Sequence, residues 1–252
     1  MEVFQDYAYY YNSFYKDKDY KFESKQVDSL LSLYGKETKR IINFGCGTGR
    51  HDIELTKLGY KCDGVDFSSL MIDIAKKNAA KEKMSISYEV ADIRNYKSQD
   101  QYDTVISLFH VMSYQIKNQD IIAAFRSARK VLNKGGIFLF DVWYGPGVLC
   151  DKPCVRVKEA EDSTNRLVRI ARPVMHDKDN VVDVSYEVFV INKLTGHTKV
   201  INEMHNMRYF FRPELDFFLE IAGFELIDNL DCQSLRETDF TSWTSFFIAR
   251  AI

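Results

Sequence analysis

Residues 39–68 read KRIINFGCGTGRHDIELTKLGYKCDGVDFS, and this stretch decides the fold. Residues 40–44 form a short strand candidate that enters a turn holding Gly45, Gly47 and Gly49. Residues 50–58 carry a helical pattern that stops at Gly59, and residues 61–65 supply a second strand ending at Asp66. Strand, glycine turn, helix, strand is the first unit of a parallel sheet.

The alternation continues outward. Ser68 or Ser69 caps a helix running to about Lys81, with Leu70, Ile74 and Ala75 on its apolar face. Strands follow at 85–90 and 102–108, then an amphipathic helix over 120–132 ended by residues 133–136, and a fifth strand over 137–142. Upstream, Val27, Leu30, Leu31 and Tyr34 recur at helical spacing, and Gly35 is placed to end that helix in a left-handed conformation. Near Pro146 the pattern changes to strands at 167–171, 181–192 and 199–209, the last two joined by a hairpin turn at Thr195–Gly196. Pro213 starts a helix that ends at Gly223, and 224–229 and 245–251 give two final strands. The expected fold is α/β, a Rossmann-like, doubly wound, seven-stranded, mostly parallel sheet with an inserted small antiparallel sheet. It forms a single domain over 1–252: an N-terminal helical lid (1–40), a cofactor-binding core (41–145), an insertion on the substrate side (146–212) and a closing helix and strands (213–252).

Composition sets limits on this reading. The 252 residues are 46% hydrophobic and 28% charged, which excludes disorder and coiled coil. No apolar run approaches the roughly 20 residues of a membrane span, and the N-terminus lacks a signal-peptide pattern. A formal net charge of −2 argues against a non-specific nucleic-acid or membrane binder. Five scattered cysteines are expected as free thiols in the cytoplasm. Aromatic residues make up 14%, and they cluster: Phe4, Tyr7, Tyr9, Tyr10, Tyr11, Phe14, Tyr15 and Tyr20 lie in the first twenty residues.

The glycine turn carries the chemistry. Glycines let backbone approach a ligand closely, and in an open α/β sheet ligands bind at the carboxyl ends of the strands. A dinucleotide fingerprint needs its third glycine where Arg50 stands, and no Gly-Lys-Ser/Thr follows for a P-loop. Asp66, at the end of the second strand, offers two acceptors to the vicinal hydroxyls of a ribose. Asp92, after the third, suits an exocyclic amine. Either acid alone is commonly a solvated strand end; three landmarks along one sheet edge are not easily coincidence.

These pieces, FGCGTG, GVDFS, ADI, YDTVISLFHVMSY and KVLNKGGIFLFDVW, resemble the class I S-adenosylmethionine-dependent methyltransferases over about residues 39–142. The resemblance implies S-adenosyl-L-methionine as cofactor, with Gly45, Cys46, Gly47 and Gly49 along the methionine moiety and ribose, Asp66 and Phe67 at the ribose, Asp92 and Ile93 framing the adenine, and Leu108 and Phe109 by the donor end. One departure is Asn43, where many members carry an acid. Tyr11 with Lys18-Asp19-Tyr20, the segment Asp141-Val142-Trp143-Tyr144, and Glu203-Met204-His205 look like the nucleotide-sugar methyltransferases that N-methylate amino-deoxysugars. There the N-terminal arm folds over the cleft, which makes Tyr7, Tyr11 and Tyr20 lid candidates. Tyrosine rings offer apolar area, a hydroxyl and a face that attracts a sulfonium.

Candidate catalytic residues are His110, Tyr114, His205 and Tyr11. Cofactor-binding candidates add Tyr11 and Tyr20, and substrate-binding candidates are Trp143, Tyr144, Glu203, Arg208 and Arg236. His205 alternates with Glu203, Met207 and Tyr209 on one strand face. Arg156, Arg166, Arg169, Arg172 and Arg212 also populate this half, where an arginine can grip a diphosphate bidentately, although surface arginines are usually solvated. No metal is expected, since Cys150 and Cys154 lack a second ligand pair. The leading expectation is N-methylation of a nucleotide-linked amino sugar by a monomer or homodimer. The alternatives are O-methylation of an activated sugar or phosphate derivative, for which His110 or His205 would serve as base, and a non-catalytic cofactor-binding module. A nucleic-acid methyltransferase is disfavoured by the charge and by the missing Asn/Asp-Pro-Pro-aromatic motif.

Overall fold

The computed structural model describes residues 6–35 and 37–252. Residues 1–5, with Phe4, and residue 36 lie outside it, so the 1–40 lid is described only in part. Among the described residues, eleven strands form one continuous sheet.

Its first part is parallel: β1 (Arg40–Phe44), β2 (Lys61–Asp66), β3 (Ser87–Val90), β4 (Tyr102–Ser107) and β5 (Leu132–Tyr144), in the order β3-β2-β1-β4-β5. Helices α3 (Arg50–Lys57), α4 (Ser69–Lys81) and α5 (Asn118–Val131) lie between these strands in sequence. Ser68 caps α4 by accepting from Met71 N. The α5 helix passes directly into β5 at Leu132, so residues 133–136 begin a strand instead of forming the expected turn. Gly136 has no room for a side chain there: a Cβ would meet Asp103 O at 2.9 Å. Upstream, α1 (Ala8–Phe14) precedes α2 (Tyr20–Tyr34). Gly35 follows α2 with φ −117°, so the expected left-handed ending does not occur.

The closing strands β10 (Phe224–Asp231) and β11 (Thr244–Ala251) pair with each other, and β11 runs antiparallel to β5. They follow α7 (Arg212–Ile221). The insertion contributes β6 (Arg156–Glu161), β7 (Asn165–His176), β8 (Val181–Asn192) and β9 (Thr198–Phe210), an antiparallel meander. It is not a separate sheet. Trp143 and Tyr144 at the end of β5 pair in parallel with Tyr209 and Phe210 of β9, joining both halves.

Two elements were not legible in the sequence. The strand β6, RVKEAE, is mostly exposed and polar, and the short helix α6 (Gly145–Cys150) is rich in glycine. Strand β7 also outruns its expected end at 171, despite Pro173. Its pairing with β6 stops at Ala171 while its pairing with β8 continues, so the missing proline donor falls on an open edge.

The largest apolar cluster lies between the parallel sheet, α5 and α7, and includes Phe44, Phe125, Phe138, Phe140 and Phe247. A second joins α2 to the opposite face through Val27, Leu30 and Leu31. A third is formed by Tyr7 and Phe14 against Leu167, Val188, Val190 and Ile201, which seats α1 on the inserted sheet. No helix among the described residues is long and apolar enough to cross a membrane.

Candidate active site

The carboxyl ends of β1, β2 and β4, the arm α1–α2 and the inserted sheet enclose one cavity of about 1080 Å³. Ligand pockets commonly measure roughly 300–1,000 Å³, so this one has space for a cofactor and an acceptor together.

The glycine turn forms its floor. Gly45 N and Cys46 N donate to Val65 O, which folds the turn back against β2. Gly45 has φ +77°, and a Cβ there would stand 2.5 Å from Val111. Gly47 faces open cavity space, and its N–H donates to Asp66 Oδ2 at 2.9 Å. Asp66 Oδ1 accepts from Ser68 N, so two backbone amides hold the carboxylate at the strand end. Burial raises its pKa, and these two bonds offset part of that rise. Gly49 turns the other way. A Cβ there would meet the Tyr88 hydroxyl at 2.3 Å, so this glycine packs against the protein rather than the cavity, contrary to its expected ligand contact.

Cys46, Phe67, Asp92, Ile93 and Leu108 line the same end. Asp92 is gripped by Arg94, with Nη2 2.6 Å from Oδ2. The Arg94 hydrogen bonds hold its carboxyl below the usual range. Asn43 does not line the cavity. It is buried, and its Nδ2 donates to Asp52 Oδ1 at 2.6 Å beneath the turn. Burial pushes the Asp52 pKa up to about 7 against the hydrogen bonds of Asn43 and Tyr88.

After β4, Phe109 and His110 both adopt left-handed backbone, φ +66° and +67°, before a 3₁₀ turn over Val111–Tyr114. Asp141 of β5 fixes this corner: its Oδ1 accepts from His110 N, and its Oδ2 lies 2.7 Å from His110 Nδ1. His110 and Tyr114 line the cavity, as does His205 of β9. The Tyr114 hydroxyl is 2.8 Å from His205 Nδ1, and His205 Nε2 is 3.2 Å from Glu203 Oε2. Glu203 Oε1 accepts from Tyr7 N. Burial holds the Tyr114 hydroxyl well above the usual tyrosine range.

Tyr7, Tyr11, Tyr15 and Tyr20 line the roof, whereas Tyr9 points to solvent. Tyr7 and Phe14 are also core residues at 1% exposure, so the aromatic arm both fills a core and covers the cleft. Thr48 of the turn donates to Asn12 of α1. Arg169 of β7 donates to the hydroxyls of Tyr7 (2.7 Å) and Tyr15 (3.3 Å), and its guanidinium lies over Tyr186. His51 also lines the roof, 2.7 Å from Glu23.

Four expected substrate residues do not reach the cavity. Arg208 is buried and bound to Glu214, Asn118 and Ile116 O, anchoring the start of α7. Arg236 is exposed in the loop between β10 and β11. Tyr144 is buried in the main core. Glu203 stands behind His205, away from the cavity wall. Trp143 does line it, packed edge-on to Trp243. Sequence reasoning named Tyr15 and Asp141 without giving either a role at the site, missed His51 and Tyr186, and passed over Arg169 for Arg208. Alternation along β7 and β8 was the available signal for Arg169 and Tyr186, since cavity residues 169, 171 and 173 recur with period two.

A family model described as a methyltransferase domain matches residues 41–136, the segment that builds the floor of this cavity. The chain is similar to a putative methyltransferase of Geobacillus sp. (strain WCH70), 27% identical over 56% of this chain, and spans only about half (57%) of that relative's length. It is also similar to the dTDP-3-amino-3,4,6-trideoxy-alpha-D-glucopyranose N,N-dimethyltransferase of Streptomyces venezuelae, 23% identical over 86% of this chain and 90% of that one. The fold matches the solved sugar N-methyltransferase from Streptoalloteichus sp. ATCC 53650, with TM-score 0.82 at 19% identity, covering 100% of this chain and 96% of that one. The matched segment ends within β5, and the inserted sheet lies outside it.

Proposed function

We propose that the protein transfers a methyl group from S-adenosyl-L-methionine to the amino group of a nucleotide-linked sugar. The observation that carries this reading is one cavity bounded by the methyltransferase domain on one side and by the inserted sheet and tyrosine arm on the other. The Streptomyces venezuelae relative, which spans most of the chain, supports the acceptor class.

The residues fit the cofactor. Gly47 leaves open space where a side chain would intrude, and Asp66 is held in place with acceptor capacity remaining. When bound, S-adenosylmethionine supplies a methyl activated on a sulfonium. Gly45, Cys46, Gly47, Asp66, Phe67, Asp92, Ile93 and Leu108 hold it, with Tyr11 and Tyr20 closing from above. Trp143, Tyr114, His205, Arg169 and Tyr186 face the acceptor. The protein aligns the reactants and excludes water, and a neutral amine needs no dedicated base for the displacement itself. The protein works in the cytoplasm on a small molecule, as a monomer or homodimer.

Labelled cofactor incubated with a panel of nucleotide amino sugars, followed by mass spectrometry, tests this: a labelled N-methyl product is expected. Absence of calorimetrically detectable cofactor binding overturns the reading. A second reading, O-methylation, is favoured by the Asp141-oriented His110 at the cleft. It requires His110→Ala to abolish turnover with cofactor affinity intact, whereas an amine acceptor leaves turnover measurable.

A further inference from the structure

A chain of hydrogen-bonding groups leads away from the cavity: Tyr114 hydroxyl to His205 Nδ1 at 2.8 Å, His205 Nε2 to Glu203 Oε2 at 3.2 Å, and Glu203 Oε1 to the backbone N of Tyr7. Its members come from three separated parts of the chain. Tyr114 sits in the turn after β4, His205 and Glu203 on β9, and Tyr7 at the start of α1. His205 is 1% exposed and Glu203 8%, so the chain runs through the interior. An imidazole bridging a hydroxyl and a carboxylate, with both ring nitrogens engaged, has a defined tautomer and a counter-ion for its charged form.

We propose that Tyr114, His205 and Glu203 form a proton relay that deprotonates the acceptor's ammonium group. This deepens the amine-acceptor reading and rests on it. An amine near neutral pH is mostly an ammonium, without the lone pair that attacks the methyl, and every methyl transfer to nitrogen makes a new ammonium inside the cavity. In the relay, the ammonium N–H bond breaks as its proton passes to the Tyr114 oxygen. The hydroxyl proton of Tyr114 passes to His205 Nδ1 as the new N–H bond forms. His205 Nε2 keeps its proton against the Glu203 carboxylate. The acceptor becomes a neutral amine, Tyr114 ends unchanged, and His205 becomes an imidazolium paired with Glu203. No oxidant or further reactant is needed. The proton then rests on His205, paired with the Glu203 carboxylate that also accepts from Tyr7 N. Among the described residues, the other titratable or charged groups packed about the relay include Tyr7 of α1, Tyr15 after it, Tyr186 of β8 and, over the Tyr186 ring, Arg169 of β7.

The test uses the whole protein with ring-labelled histidine and the demethylated cofactor product, so that no turnover occurs. The amino sugar dTDP-3-amino-3,4,6-trideoxyglucose is added at pH 7 and the five imidazoles are followed by NMR. One ring signal, identified by its loss in His205→Gln, is expected to shift to the charged form on acceptor addition in the wild type and to stay neutral in Tyr114→Phe. In turnover, kcat/KM of Tyr114→Phe and of His205→Gln is expected to fall about tenfold or more at pH 7 and to approach the wild type by pH 9, where the amine deprotonates in water. An unshifted His205 signal in the acceptor-saturated wild type, or variant pH profiles parallel to the wild type, overturns the relay. A wild type that methylates an oxygen, or no amino sugar at all, overturns the amine-acceptor reading instead.

Discussion

Asn43 stands where the resemblance leads one to expect an acid, and its surroundings suit an amide. Its amide donates to Asp52, whose buried carboxyl already has a pKa raised to about 7 by desolvation. A second carboxyl 2.6 Å away would face it with no cation between them. Because the folded-state pKa of Asp52 lies above the unfolded value of about 3.9, its contribution to stability is fully present below that value and is lost as pH rises through about 7. Asn43→Asp is therefore expected to lower the melting temperature by several degrees, more at pH 8 than at pH 5, as thermal denaturation at both values will show. Asp66 was readable from the sequence because its role follows from its place at a strand end. Asp52 was not, because burial under the glycine turn depends on how α3 packs.

Among the elements, α1 depends most on a single distant side chain. Seven residues long, it is too short to persist alone, and Arg169 ties the hydroxyls of Tyr7 and Tyr15 to β7. Replacing Arg169 with Met keeps much of the stem volume and removes these bonds. Arg169→Met is expected to speed hydrogen exchange in α1 and to raise the cofactor dissociation rate about tenfold, with a melting temperature change of only a few degrees. A large loss of stability with unchanged dissociation would show that Arg169 serves only packing. Of this arrangement the tyrosine cluster was legible, since eight aromatics in twenty residues demand a covering. The latch was not: eight arginines are spread over the inserted region and the tail, and only tertiary packing separates Arg169, which faces the cavity, from Arg208, which braces α7.

At the scale of the molecule, the βα alternation made the parallel half legible almost strand by strand. The fusion of the two halves was hidden, because it rests on two residue pairs, Trp143 with Tyr209 and Tyr144 with Phe210, and hairpin patterns do not reveal what pairs across 66 residues. Within the insertion, β8 pairs along its length with both β7 and β9. Native-state hydrogen exchange is accordingly expected to resolve β6–β9 as a cooperative unit that opens at lower free energy than β1–β5, and a single common opening energy for all eleven strands would contradict this. So narrow a junction has an evolutionary corollary. The ends of the segment between Tyr144 and Arg212 lie beside one another, so that, on the proposed function, exchanging it for the corresponding segment of a similar methyltransferase is expected to re-aim the chemistry at a new acceptor and leave the proposed cofactor half in place.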